Sequence, residues 1–160
     1  MRVKRNDIQQ CVVIEELSEI KLVGFRVLCE DEQYRNEIPK AAYQLKERVG
    51  EIQQIINLSV HYGAFIIDHD SEDEDGYWIG VQVEEYVNIP EGMCSLTVPP
   101  QRYAVSKFSG ANDKIRENYT CLHKWIEENG FERRLDKWHI ERYYGWRDKS
   151  RLCVDLLDTI

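Results

Sequence analysis

The sequence predicts an α+β fold in which two duplicated βαββ units form a mostly antiparallel sheet, with two main helices and a cleft at the pseudo-two-fold axis. Two segments carry an apolar stripe at helical spacing, and shorter segments rich in β-branched or aromatic residues surround them. This order of elements occurs twice, over about residues 20–86 and 102–158. Because most strands are joined by short connections, their pairing is expected to be antiparallel.

Two strands precede the first helix, and the second of them opens the first unit. Residues 11–17 and 21–29 are rich in β-branched and apolar side chains, which is typical of strands. Asn36 and Pro39 indicate a helix start, since the missing N–H of proline costs nothing in the first turn. Gly50 interrupts the apolar stripe that follows. The stripe consists of Ile38, Ala42, Leu45, Val49, Ile52 and Ile56.

Two more strands, at 61–67 and 77–86, complete the first unit. The acidic segment 68–76 between them invites comparison with a calcium-binding loop. Asp73 stands where an EF-hand needs glycine, and Ile79 stands where it needs a bidentate glutamate. We therefore expect a solvated hairpin loop here.

The second unit repeats the plan. After a strand predicted at 94–98, the unit has a strand at 102–108, then a helix that ends at Asn129–Gly130, then strands at 137–146 and 152–157. The apolar stripe of this helix consists of Ile115, Tyr119, Leu122 and Ile126.

Composition limits the classes of function. The net charge of −8 argues against direct nucleic-acid binding, which needs a positive surface. No apolar run is long enough for a membrane span and no signal peptide is evident, so a cytoplasmic protein is expected. The five cysteines stand singly, which favours reduced, mostly buried thiols over a zinc site or disulfides. We expect one domain over 11–160 after a tail at 1–10, with no metal or other cofactor.

The strand predicted at 137–146 contains the most unusual charge. With period-two alternation, His139, Glu141 and Tyr143 share one face. Either this face is solvated and Glu141 pairs with a surface arginine, or the carboxylate lies in a pocket surrounded by aromatic rings. The second interpretation gives the predicted ligand-binding residues, which are Glu141, Tyr143, Trp78, Tyr62, Trp138 and Trp146.

Catalytic signatures are scarce. The sequence has no Gly-x-Ser-x-Gly elbow, no glycine-rich phosphate loop and no His-Glu-x-x-His motif. The histidines share no metal-ligand spacing, and His61 and His123 are interpreted as structural or exposed. His139 shares a face with Glu141, which leaves an acid/base role open. Tyr119 and Trp125 lie on the predicted second helix and are assigned to packing.

An ordered set of motifs in the second half resembles the gyrase-inhibitor-like (GyrI-like) effector-binding domain of AraC-type and MerR-type regulators, within the SOUL-like fold superfamily. The set consists of Val98-Pro99-Pro100-Gln101-Arg102-Tyr103-Ala104-Val105, Phe108-Ser109-Gly110, Ile115 with Tyr119, Trp125-Ile126, Asn129-Gly130-Phe131 and Ile140-Glu141-Arg142-Tyr143. The resemblance implies the duplicated βαββ fold. It also implies that the pocket glutamate of the family falls on Glu141, with Tyr143 next on that face.

The leading hypothesis is therefore a stand-alone small-molecule-binding protein, linked to transcription regulation or to drug or toxin sensing. Its ligand is expected to be aromatic or lipophilic, and cationic or neutral. Two alternatives remain open. One is a hydrolase of reactive cyclopropane-containing compounds that uses Glu141 and Tyr143. The other is a protein that interacts with gyrase or with a regulator.

Overall fold

The computed structural model describes residues 11–146 and 152–160, so the predicted tail at 1–10 lies outside the described residues. Within them, the predicted strands and helices are confirmed, with boundaries that shift by a few residues. In chain order the elements are β1 (Val12–Leu17), β2 (Ile20–Val27), α1 (Tyr34–Arg48), β3 (Val60–Ile66), β4 (Tyr77–Gln82), β5 (Cys94–Val98), β6 (Gln101–Gly110), α2 (Ile115–Glu128), β7 (Trp138–Tyr144) and β8 (Leu152–Thr159).

The strands form one 8-stranded sheet in the order β1-β6-β8-β7-β3-β4-β2-β5, and every neighbouring pair is antiparallel. The two units meet at β3 and β7, where Val60 lies opposite Tyr144 and Ile66 opposite Trp138. Gly63 and Glu141 face each other midway along this pair. The pseudo-two-fold axis that relates β2-α1-β3-β4 to β6-α2-β7-β8 therefore passes beside Glu141.

The edge strands tie the two units together. Strand β1 precedes the first unit in sequence but pairs with β6 of the second, whereas β5 precedes the second unit and pairs with β2 of the first. The strand that precedes each unit thus forms the sheet edge beside the other unit. Separating the units would expose the backbone of both edges, so the exchange couples their stability.

Both helices pack on the same face of the sheet, here called the helix face. Helix α1 covers β2 and β4, and α2 covers β6 and β8. The opposite face has no helix over it within the described residues. The sheet instead curls on itself, because Leu22 and Val98 from one end share a core cluster with Tyr103 and Val105 from the other. No described helix is both long and apolar enough to cross a membrane.

Helix α1 differs from its prediction at both ends. It begins at Tyr34, after a 3-10 turn at Asp31–Gln33, so Pro39 lies beyond the first turn. At the other end the α-helix stops at Arg48, before Gly50, and a short 3-10 turn follows. The apolar stripe therefore loses its last member: Ile56 is exposed, because the chain has left the helix before reaching it.

Two smaller expectations have different outcomes. The acidic segment 68–76 does connect the antiparallel neighbours β3 and β4, as a hairpin loop should, and Arg26 donates hydrogen bonds to its carbonyl oxygens. The cysteines are free thiols, but the expectation that most are buried is wrong, since Cys11 and Cys153 are exposed and the others are partly exposed. An apolar run in a sheet has an outward face, and a cysteine on that face meets solvent.

Candidate functional site

The middle of the helix face lies open between the two helices. Because α1 covers one unit and α2 covers the other, the central strands β3 and β7 form the floor of a cleft of about 390 Å³. Ile38 and Ala42 of α1 line one side, and His61 of β3 and Tyr143 of β7 line the floor. Aromatic and aliphatic side chains thus form most of the wall, which is typical of small-molecule sites.

Beside this floor, Glu141 accepts hydrogen bonds from three tyrosine hydroxyls. Tyr77 donates to Oε1 at 2.6 Å and Tyr143 donates to the same oxygen at 3.0 Å. Tyr119 of α2 donates to Oε2 at 2.5 Å. Strand β4, strand β7 and helix α2 therefore converge on one half-buried carboxylate. Hydrogen bonds to a charged acceptor are short and strong, so the three donors stabilise its negative charge.

The three tyrosines are fixed as hydrogen-bond donors. Burial, reinforced by the adjacent Glu141 carboxylate, raises the pKa of Tyr77, Tyr119 and Tyr143 well above the ordinary tyrosine value. Their hydroxyls stay protonated at neutral pH, and removing a proton would place a second negative charge beside Glu141.

Gly63 makes room for one of these contacts. A Cβ atom at this position would lie 1.7 Å from Oη and 2.3 Å from Cζ of Tyr77. The ring of Tyr77 therefore passes over β3 at Gly63 to reach Glu141 on the next strand. At the pseudo-two-fold axis one unit supplies the carboxylate and the other supplies the glycine that lets a tyrosine reach it.

Cationic partners distinguish the other buried carboxylates from Glu141. Asp155 pairs with Arg142 at 2.9 Å, and Asp158 pairs with Arg133 at 3.1 Å. No described Arg, Lys or His lies within ion-pairing distance of Glu141, whose three hydrogen-bond donors are neutral hydroxyls. Its charge is solvated by the protein but is not neutralised.

The pKa of Asp158 shows the effect of such partners on a buried carboxylate. Burial opposes its ionisation, but hydrogen bonds from His123 and His139 hold the pKa of Asp158 well below its usual range. The imidazole of His139 contacts Oδ1 at 2.8 Å. His139 does share the strand face of Glu141, as expected, but its described polar contact is with Asp158.

A stack of three rings forms part of the cleft wall. The imidazole of His61 lies nearly parallel to Tyr143, at 4.9 Å between centroids, and to Trp146, at 4.3 Å. Trp146 is held at its other end by a 3.1 Å hydrogen bond from Nε1 to the carbonyl oxygen of Leu58. Tyr143 therefore does two things, since its ring supports His61 and its hydroxyl contacts Glu141.

The structure brings together only part of the predicted ligand-binding set. Glu141 and Tyr143 lie on the helix face, and Trp146 lines the cleft next to them. The other three side chains belong to the core cluster on the opposite face of the sheet. They are Tyr62, Trp78 and Trp138, with Trp78 and Trp138 packed edge to face.

Sequence reasoning missed three residues of this site. Tyr77 lies on the strand predicted at 77–86 but is not in the predicted ligand-binding set. Tyr119 was assigned to packing, and His61 to a structural or exposed position. Gly63 was an available signal, because a glycine inside an apolar strand often marks a close approach of another group. The approaching group is Tyr77, and this depends on the strand register, which the sequence does not specify.

Comparisons with known proteins agree with this architecture. A family model described as Cass2, integron-associated effector binding protein, matches residues 13–156. No curated protein matches the sequence.

Among solved structures, SAV2435 bound to tetraphenylphosphonium has a TM-score of 0.68 and 17% identity, and the match covers 92% of each chain. The C-terminal domain of EcmrR has a TM-score of 0.64 and 15% identity, over 94% of this chain and 96% of that one. An integron cassette protein of Vibrio cholerae has a TM-score of 0.52 and 12% identity, over 92% and 95%. At these identities the structures show a shared fold.

Proposed function

The chain belongs to the Cass2 family of integron-associated effector binding proteins, and from this premise we propose that residues 11–160 form one domain that binds a lipophilic, aromatic cation in the cleft between α1 and α2. The observation that carries the proposal is the Glu141 carboxylate, which has three hydroxyl donors and no cationic partner among the described residues.

The lining of the cleft supports the chemical class of the ligand. Tyr77, Tyr143 and Trp146 offer aromatic surface, and Ile38 and Ala42 offer aliphatic surface. A cation over an aromatic ring gains about 0.5–2 kcal/mol, more when it is shielded from water. A nearby carboxylate adds a Coulomb attraction of about 3 kcal/mol at 6 Å with an effective dielectric constant of about 20. A cation gains from both terms, whereas an anion gains from neither, because the ring faces and the carboxylate are both negative.

Long-range charge supports the same choice. The net charge of −8 attracts cations toward the protein and repels anions. SAV2435, which shares the fold, is a protein solved with the lipophilic cation tetraphenylphosphonium. EcmrR, whose C-terminal domain has the same fold, is a protein solved in a complex with DNA. By this analogy the ligand of the present chain would act as a signal, in drug or toxin sensing linked to transcription regulation.

Isothermal titration calorimetry with tetraphenylphosphonium tests the proposal. We expect binding by the wild type and a loss of about 10-fold to 100-fold in affinity for Glu141→Gln, from the Coulomb attraction above. Glu127→Gln is the matched control, because it removes the same charge from an exposed position on α2.

A neutral ligand of related shape separates charge from stacking. Triphenylphosphine oxide should bind wild type and Glu141→Gln equally. If Glu141→Gln binds tetraphenylphosphonium as tightly as Glu127→Gln does, the charge role of Glu141 is wrong. If the wild type binds neither compound, the ligand class itself is wrong.

Hydrolysis is a second candidate because of the 2.5 Å contact between Tyr119 and Glu141. A short hydrogen bond between a phenol and a carboxylate is a route for a proton, which general acid–base chemistry needs. Turnover of a cyclopropane-containing compound by the wild type, lost in Glu141→Gln, would establish this activity. Binding of such compounds without turnover would exclude it for them.

A further inference from the structure

His61 is a buried polar group of the cleft wall with an unused hydrogen-bonding atom. Only 8% of its surface is exposed, and its Nδ1 atom has no hydrogen-bond partner within residues 11–146 and 152–160. Buried polar atoms are nearly always hydrogen-bonded, because an unpaired one loses the contacts that water gave it. In the rotamer described this atom has no contact with solvent, so a ligand in the cleft pairs with it only after the ring turns about χ2.

The ring stack determines how a ligand approaches His61. Tyr143 and Trp146 lie parallel to the imidazole, with interplanar angles of 10° and 13°. Its faces are occupied, so a ligand meets the ring at its edge, where the nitrogen lone pair and the N–H lie in the ring plane. A rotation of 180° about χ2 keeps the ring in the stack and exchanges its nitrogen and carbon edges.

His61 is also neutral at physiological pH. Burial lowers the pKa of His61 to about 4, so one of its ring nitrogens is a hydrogen-bond acceptor and the ring does not repel a cation. His61 lies opposite Tyr143, and Gly63 lies opposite Glu141, so the imidazole and the carboxylate are diagonal neighbours across β3 and β7. Such neighbours are about 7–8 Å apart, a distance that one small ligand spans.

We propose that His61 is a hydrogen-bonding subsite of the cleft that accepts an N–H from a protonated lipophilic amine, while Glu141 supplies the opposite charge. The inference rests on the proposed function and narrows its ligand class. Amines that keep an N–H satisfy both groups. Quaternary ammonium and phosphonium ions satisfy only the carboxylate and leave the imidazole unpaired.

A matched pair of ligands tests the subsite. 9-(Dimethylaminomethyl)anthracene is protonated at pH 7.5 and keeps one N–H, whereas its trimethylammonium analogue has the same flat ring and charge but no N–H. Calorimetric titration should give a wild-type preference for the amine of about 10-fold, the ratio expected for one hydrogen bond to a charged donor. His61→Phe keeps a flat ring in the stack, and its preference should fall to about 1. His69→Phe, in the hairpin loop, is the matched control and should keep the wild-type ratio.

A measurement on the unmutated protein covers the case in which His61→Phe folds poorly. Imidazole ¹⁵N chemical shifts respond to hydrogen bonding at each ring nitrogen. The amine should shift a His61 nitrogen resonance, and the quaternary analogue at saturation should leave it near its free position. Equal shifts with both ligands would overturn the subsite.

The outcomes also separate this inference from the function on which it rests. If the wild type binds neither ligand, the proposed function and the subsite fail together. If both ligands bind and both weaken in Glu141→Gln, but the wild type and His61→Phe show the same ratio of affinities, only the subsite is wrong.

Discussion

Replacing Gly63 by alanine is expected to break the contact between Tyr77 and Glu141. The new Cβ would lie 2.3 Å from Cζ of Tyr77, whereas unbonded carbon atoms meet at about 3.5–4.0 Å. The tyrosine ring must therefore move by more than about 1 Å. Its hydroxyl now lies 2.6 Å from Oε1 of Glu141, and such a displacement exceeds what a hydrogen bond tolerates.

The expected loss of stability has two sources. Forcing a buried ring out of its position costs about 1–3 kcal/mol. Losing a hydrogen bond to a charged group costs about 1.5–3 kcal/mol. The two overlap, because the same movement of Tyr77 relieves the clash and breaks the bond. We therefore expect Gly63→Ala to lower the free energy of unfolding by less than the sum of the two, about 2–5 kcal/mol.

Equilibrium unfolding in urea, followed by circular dichroism, measures this change. Gly50→Ala is the matched control, because a Cβ there meets nothing within 4 Å and the free energy of unfolding should change by less than about 0.5 kcal/mol. In a Tyr77→Ala background the obstructing ring is gone, so Gly63→Ala should cost less than about 1 kcal/mol. An equal cost in both backgrounds, or a cost near zero in the wild type, would mean that the Tyr77 ring does not occupy the space beside Gly63.

Three further perturbations test other contacts by the same unfolding measurement. Tyr119→Phe removes the 2.5 Å hydrogen bond to Glu141 and should cost about 1.5–3 kcal/mol; no change would mean that the bond is absent in solution. His61 has a folded-state pKa of about 4 against 6.5 for the free side chain, so the unfolded chain binds more protons between these values and stability falls on acidification. From pH 7.5 to pH 5 this amounts to about 2 kcal/mol, and His61→Phe should lack that part of the fall. Asp158→Asn removes the buried carboxylate that Arg133 and His139 contact and should cost about 3–5 kcal/mol, whereas Asp136→Asn at an exposed position should cost less than about 0.5 kcal/mol. Equal costs would contradict the network around Asp158.

Much of the fold follows from local patterns. The α2 stripe at Leu122 and Ile126 and the alternation along β7 result from backbone geometry, and the repeated order of elements predicted the pseudo-two-fold axis. The exchange of β1 and β5 between the units was not predictable in this way. Either edge strand has the pattern of a half-buried strand, and the pattern does not identify its neighbour.

The candidate site was predictable only at its centre. Glu141 is visible as a charge in an aromatic strand, and the family resemblance identifies the same position. Trp138 stands three residues before it on β7, so alternation alone already places the two on opposite faces. The face on which Tyr62 and Trp78 lie could be assigned only from the register of β3 and β4. The contact of Tyr119 with Glu141 depends on how α2 packs over the sheet, which no local pattern specifies.

The crystal structure of the complex with tetraphenylarsonium would show whether a cation binds beside Glu141, because the anomalous signal of arsenic locates the charged centre. We expect one arsenic peak between α1 and α2, on the helix face above Glu141, within about 6 Å of a tyrosine or tryptophan ring centroid. A peak on the opposite face near Trp78 and Trp138, a peak outside the cleft, or no peak at saturating ligand would contradict this expectation.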